Sequence, residues 1–81
     1  MSNHIIGRTE IGKYLISTVK LPGAEESPEV FKGLIYETMV FEVDEVHGNT
    51  TSDVCVRYAT YDEAVIGHEN IVRDFFNKTI R

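Results

Sequence analysis

The fold is decided by residues 60–77, which read TYDEAVIGHENIVRDFFN. At about 100° per residue, the apolar side chains of this segment and one histidine fall on a single stripe, and polar side chains fall opposite. The members of the stripe are Tyr61, Ala64, Val65, His68, Ile71, Val72, Phe75 and Phe76. This pattern predicts an amphipathic helix that covers one face of a sheet.

The start of the helix is marked by Thr60-Tyr61-Asp62-Glu63, a capping box. The Thr60 hydroxyl can accept from the Glu63 amide, and the Glu63 carboxylate can reach back to the cap. Gly67 lies beside the apolar stripe, where it costs about 1 kcal/mol relative to alanine. A close approach to the backbone of another segment would explain this glycine.

Three segments before the helix are rich in β-branched and aromatic residues, which favour strands. They are residues 13–21, 33–44 and 53–59. Residues 45–52 contain Gly48-Asn49 and are typical of a hairpin loop, and residues 1–10 form either a loose arm or a short edge strand. The sequence therefore predicts one α+β domain over residues 1–81. Its three-stranded antiparallel sheet, a β-hairpin plus an N-terminal strand, carries one C-terminal amphipathic helix on one face.

The pairing of the hairpin strands follows from their apolar pattern. We expect Met39 opposite Val56 and Phe41 opposite Val54, because a slip of one residue would mix apolar and polar sets. The face expected to be inside carries Ile35, Met39, Phe41, Val43, Val54, Val56 and Tyr58. The outer face carries Thr38, Val40, Glu42, Asp53, Cys55 and Arg57.

Charge and composition exclude several classes of function. The net charge is −5, from 13 acidic and 8 basic residues, and the basic residues are scattered, which disfavours nucleic-acid binding. No apolar run is long enough to span a membrane or to act as a signal peptide, so a cytoplasmic location is expected. The single cysteine, Cys55, allows no internal disulfide and fits a reducing compartment.

No metal, cofactor or catalytic residue is predicted. The three histidines, His4, His47 and His68, have no ligand spacing with one another or with the cysteine. Ser17, Thr18 and Cys55 lack the flanking glycines of a nucleophile elbow, and there is no phosphate-binding loop.

A candidate ligand-binding site combines Glu37, Arg57, Tyr58 and His68. Glu37 interrupts the strongest strand and His68 interrupts the apolar stripe of the helix, so polar groups stand at apolar positions on both elements. One hypothesis is a small-ligand or catalytic pocket at the end of the sheet, with a carboxylate orienting the histidine. The alternative is a buried hydrogen-bond network, in which His68 is a core histidine bonded to a strand group.

A candidate interface lies on the outer face of the sheet, which a single helix leaves open. Tyr36, Val40 and Cys55 would form its apolar patch, with Tyr14 or Leu15, and such patches often mark partner surfaces. A solvated, mixed face is the alternative. A homo-oligomer through this face is a further possibility, and a charge at Val40 would then dissociate it.

Three segments together resemble a group of small bacteriophage and prophage proteins. They are Ile16–Val19, Tyr36–Phe41 with its Glu-Thr-Met strand, and Arg57–His68 with the pattern Arg-Tyr-x-Thr-x-x-Glu-Ala-x-x-Gly-His. The resemblance covers most of the chain. It implies phage origin and action in a bacterial cytoplasm or within a virion, but no mechanism. The leading hypothesis is a non-enzymatic accessory protein whose partner is a host or virion protein.

Overall fold

The computed structural model describes residues 5–24, 26, 29, 32–44 and 48–79 of the chain. Within this part, the chain forms an α+β structure of four strands followed by a helix. The elements are β1 (Ile5–Ile11), β2 (Tyr14–Lys20), β3 (Tyr36–Asp44), β4 (Gly48–Tyr58) and α1 (Tyr61–Thr79). The predicted class, an antiparallel sheet with one C-terminal helix, is confirmed.

The sheet has one strand more than predicted. Its order is β1-β2-β3-β4, and every neighbouring pair is antiparallel. The extra strand is β1, which corresponds to the edge-strand interpretation of residues 1–10. Its sequence, IIGRTEI, hides the strand pattern because Gly7 and two charged residues interrupt the apolar ones. A tight turn at Gly12, whose φ is 56°, connects β1 to β2. Strand β4 begins at Gly48, inside the segment 45–52 that was predicted as a loop, and residues 45–47 lie outside the described part of the chain.

The predicted pairing of β3 with β4 is wrong by one residue. Met39 pairs with Cys55, and Thr38 pairs with Val56; beyond Met39 a bulge brings Thr51 opposite Phe41. Because side chains alternate between the two faces of a strand, this shift exchanges the faces of β3 relative to the expectation. Val40, expected outside, is fully buried.

We call the side of the sheet beneath α1 the inner face and the opposite side the open face. The pairing of all four strands places Thr9, Ile16, Thr18, Thr38, Val40 and Val56 on the inner face. The same pairing places Leu15, Val19, Glu37, Met39, Phe41, Val43, Cys55 and Arg57 on the open face. The more apolar set of β3 side chains therefore lies away from the helix.

The helix begins where the sequence predicts it, but part of the predicted stripe stays exposed, since Tyr61 is 55% and Phe76 51% exposed. The Glu63 amide donates to the Thr60 hydroxyl over 3.1 Å, and that hydroxyl lies 3.0 Å from the Glu63 carboxylate. From the predicted stripe, Ala64 and Phe75 are buried, and Phe75 packs with Ile16 and Val40 in the core. In the described part of the chain, no helix has the length and apolarity needed to cross a membrane.

Candidate functional site

A chain of four polar side chains runs through the core between the sheet and α1. Nδ1 of His68 lies 2.7 Å from the Thr18 hydroxyl, and Nε2 lies 2.9 Å from the Thr9 hydroxyl. The Thr18 hydroxyl also contacts the hydroxyl of Thr38 on the next strand. Thr18 and Thr38 are fully buried and His68 is 8% exposed. Both ring nitrogens are therefore engaged, as expected of a core histidine, because burying a polar ring without partners is costly.

This network explains why the helix packs on the less apolar face of the sheet. The stripe of α1 carries His68 near its middle, and the ring can be buried only against groups that form hydrogen bonds. Thr18 and Thr38 are paired across β2 and β3 and present adjacent hydroxyls. On the open face, the one hydroxyl among the β2–β3 pairs belongs to Ser17, which is paired with Met39.

The protons of the network can be placed by counting, because each hydroxyl and a neutral imidazole carry one proton each. The contact geometry allows either hydroxyl to donate, but a buried hydroxyl proton needs an acceptor, and Thr18 is the partner of Thr38 among the described residues; we therefore assign Thr38 as the donor to Thr18. Thr18 then donates to Nδ1 of His68, and the protonated Nε2 donates to Thr9. This assignment leaves the proton of Thr9 free to point outward.

The His68 ring is neutral at neutral pH. Burial lowers its pKa from the usual 6.5, and the carboxylate of Glu69 opposes this by raising it. The proton count adds a second reason: a proton on Nδ1 would turn the Thr18 hydroxyl toward Thr38. The buried Thr38 proton would then lose its acceptor.

Two glycines let the helix and the sheet approach closely here. A Cβ at Gly7 in β1 would lie 3.2 Å from atoms of the His68 ring, so the bare backbone of β1 packs on the imidazole. A Cβ at Gly67 would overlap the ring of Tyr58. The expected close approach to backbone at Gly67 is wrong in its partner, because the neighbour is the side-chain ring of Tyr58. The Tyr58 hydroxyl is buried, and no group in the described part of the chain bonds to it.

A groove of about 620 Å³ opens between β1 and α1, beside His68. Apolar residues from both elements line its walls, among them Ile6, Val65, Val72 and Phe76. Thr9 and His68 contribute polar groups, and Arg73 and Glu69 stand along the helix side. The groove has the size and mixed lining of many binding sites.

The four residues proposed for ligand binding do not form one pocket. Glu37 and Arg57 lie on the open face, where Nε of Arg57 donates to Glu37 over 2.9 Å. Tyr58 and His68 lie on the other side of the sheet, with Tyr58 against Gly67 of the helix. Glu37 was expected among the inner positions of β3, but the one-residue shift of β3 against β4 places it on the open face beside Arg57 and separates this pair from the histidine.

The three residues proposed for an interface are separated in the same way. Val40 is fully buried in the core, and the Tyr36 ring packs on Tyr61 of the helix at a centroid distance of 6.3 Å. Cys55 is exposed on the open face, as expected. A role for Val40 in contacts with other molecules is therefore wrong, because helix α1 covers it.

The threonines that hold His68 were not identified from the sequence. Thr9, Thr18 and Thr38 look like ordinary strand residues, for which threonine has a high preference. The available signal was the histidine itself: a histidine on an apolar stripe demands hydroxyl partners on the face that it contacts. Because His68 requires hydroxyl partners, the face of β3 that carries Thr38 would have been the better prediction for the side beneath the helix than the more apolar face.

Comparisons with protein-family models, curated proteins and solved structures found no match. Among the residues that the structure describes, no three histidine, cysteine, aspartate or glutamate side chains are grouped so as to hold a metal ion.

The reactivity of Cys55 provides a direct test of the open-face geometry. Its pKa is raised by desolvation and by the Glu37 carboxylate, which lies 3.5 Å from the sulfur, while Arg57 lowers it. Because the thiolate is the reactive form, Glu37→Gln should speed alkylation by a maleimide at about pH 8, and Arg57→Gln should slow it. Rates measured in denaturant serve as the control and should be equal for all three proteins. If the two variants change the folded rate in the same direction, the proposed arrangement is wrong.

Proposed function

We propose that this chain is a non-enzymatic, phage-encoded accessory protein that acts through protein–protein contacts made by its open face. The observation that carries the proposal is the position of the apolar side chains of β2 and β3. Leu15, Val19, Met39, Phe41 and Val43 all lie on the side of the sheet away from α1. Val43 keeps 47% of its surface exposed.

The open face has the composition of a protein interface. Its centre is apolar and includes the aromatic ring of Phe41 and the flexible side chain of Met39, two residue types that are enriched at interfaces. The ion pair of Glu37 and Arg57 stands at one end of it, and such polar rims commonly surround an apolar centre. Covering these side chains would contribute about 25 cal/mol per Å² of apolar surface removed from water.

The phage origin rests on the sequence resemblance alone. A phage origin implies a location in the cytoplasm of a bacterial host or in a virion. It also implies that the partner is a host protein or a virion protein. The genes that flank this one provide an independent test. Neighbours that encode only bacterial metabolic enzymes would contradict a phage origin.

The interface can be tested by selective labelling of Cys55, since it is the single cysteine of the chain and is exposed on the open face. Attaching a photoactivatable cross-linker to Cys55 and irradiating in bacterial lysate should yield a defined cross-linked species. A matched control carries Cys55→Ser and Asn70→Cys, which moves the cross-linker to the exposed outer side of α1. We expect this control to lose the species.

A second variant addresses the apolar surface directly. Val43→Glu places a charge on the open face at an exposed position, so it should abolish the cross-link from Cys55 while leaving the fold intact. Equal yields from positions 55 and 70, or an undiminished yield after Val43→Glu, would refute the open face as the contact surface.

A further inference from the structure

The strand β1 lies at one edge of the sheet that the described residues form. After a bulge between Ile5 and Gly7, five consecutive residues of β1 pair regularly with β2, from Gly7 to Ile11. No strand in the described part of the chain lies beyond β1. The opposite edge, β4, is interrupted by a bulge between Thr51 and Cys55, and bulges commonly protect an edge from further pairing. A new strand is therefore accommodated better at β1.

The charges of β1 fit a second copy of β1 in one register. Along an edge strand, the backbone N–H and C=O groups that point away from the sheet belong to every second residue. Two copies of β1 can therefore pair only in registers that bring these residues opposite one another. Centring the pair on Thr9 places Arg8 opposite Glu10 of the other copy, and by symmetry this contact occurs twice. Centring on Arg8 or on Glu10 would place like charges opposite each other, which is unfavourable.

The groove beside β1 supports the same partner. In a two-fold pair of β1 strands both helices lie on the same side of the joined sheet, and the groove-lining residues of each helix face the axis. Phe76 is 51% exposed and stands in this groove with Val65 and Val72. A second helix facing them would cover apolar surface that the monomer leaves in water.

We propose that two copies of this chain associate through β1, antiparallel and centred on Thr9, to form a continuous eight-stranded sheet with both helices on one side. Arg8 and Glu10 form the cross-strand ion pairs on the open-face side. The side chains that line the groove meet between the two helices. This dimer leaves Val43 and the centre of the open face free, so it is independent of the proposed function.

Charge reversal tests the proposal with three variants. Arg8 and Glu10 are both exposed, so reversing either charge should leave the monomer folded, as thermal unfolding would verify. Arg8→Glu or Glu10→Arg puts like charges opposite each other at both symmetry-related contacts, and each should weaken self-association about tenfold or more. The double variant R8E/E10R restores opposite charges and should associate like the original chain. Sedimentation equilibrium over the micromolar range measures all of these.

Mixing the two single variants gives a sharper result. In the mixed pair, the two acidic side chains of one copy face the two arginines of the other. An equimolar mixture should therefore form a heterodimer that is tighter than the homodimer of either variant. Val43→Glu serves as the control and should not change the association.

Three outcomes would overturn the proposal. One is a monomeric original chain across the whole concentration range. Another is single variants that associate as tightly as the original chain. The third is weakened single variants whose mixture and double variant are not restored, since this would exclude the register centred on Thr9.

Discussion

Replacing Val40 with glutamate is expected to unfold the domain. Val40 is fully buried and packs with Ile16 and Phe75 in a core of few residues. A carboxylate at this position has no partner, and burying it, charged or protonated, costs about 5 kcal/mol or more. A chain of this length has a total stability of roughly 4–12 kcal/mol. Far-ultraviolet circular dichroism should therefore show no cooperative thermal transition.

The matched control is Val43→Glu, three residues further along the same strand. Val43 lies on the open face and is 47% exposed, so a glutamate there should change the free energy of unfolding by only about 1 kcal/mol or less. The pair of variants decides which face of β3 lies under the helix. If Val40→Glu melts cooperatively while Val43→Glu does not, the face of β3 that carries Val43 packs against α1. The proposed interface on the open face would then be refuted as well.

The helix could be predicted from the sequence because its determinants are local. The hydroxyl of Thr60 and the amide of Glu63 are three residues apart, and the capping interaction forms between them without help from the sheet. The stripe that contains Ala64 and Phe75 follows from helical geometry alone. These features would be present in many folds, so their recognition needed no tertiary information.

The orientation of the sheet could not be predicted from apolar alternation, since both faces of β3 carry apolar residues. Counting them favours the face with Met39 and Phe41, whereas the structure buries Thr38 and Val40. A bulge in β4 also changes the pairing beyond Met39, and alternation within one strand does not reveal a bulge in its neighbour.

The polar residues were identified individually but grouped wrongly. Glu37 lies directly opposite Arg57 in the observed register, whereas the predicted register places the two side chains on opposite faces of the hairpin, so their ion pair was not predictable from the hairpin alone. His68 joins Thr9 and Thr18, which lie 59 and 50 residues away in sequence. Contacts of that separation depend on how the helix is docked, and docking depends on the face of the sheet.

His68 should make the stability of the domain depend on pH. Replacing it with alanine removes a buried ring, together with the hydrogen bonds that this ring makes to Thr9 and Thr18, at a cost of about 3–5 kcal/mol. His68→Gln provides a milder variant, because an amide can donate and accept hydrogen bonds but does not titrate. It should retain the fold with a smaller loss of stability.

The sign of the pH effect follows from the lowered pKa of His68 in the folded state. Below pH 6.5, the ordinary value, the unfolded chain binds a proton at this residue more readily than the folded chain does. The contribution of His68 is therefore present above pH 6.5 and is lost as the pH falls from there toward the folded-state pKa. Urea unfolding at about pH 7.5 and about pH 5.5 should show a larger loss of stability for the original chain than for His68→Gln. Equal losses in the two proteins would mean that His68 is not buried in its neutral form, and the hydroxyl network would have to be abandoned.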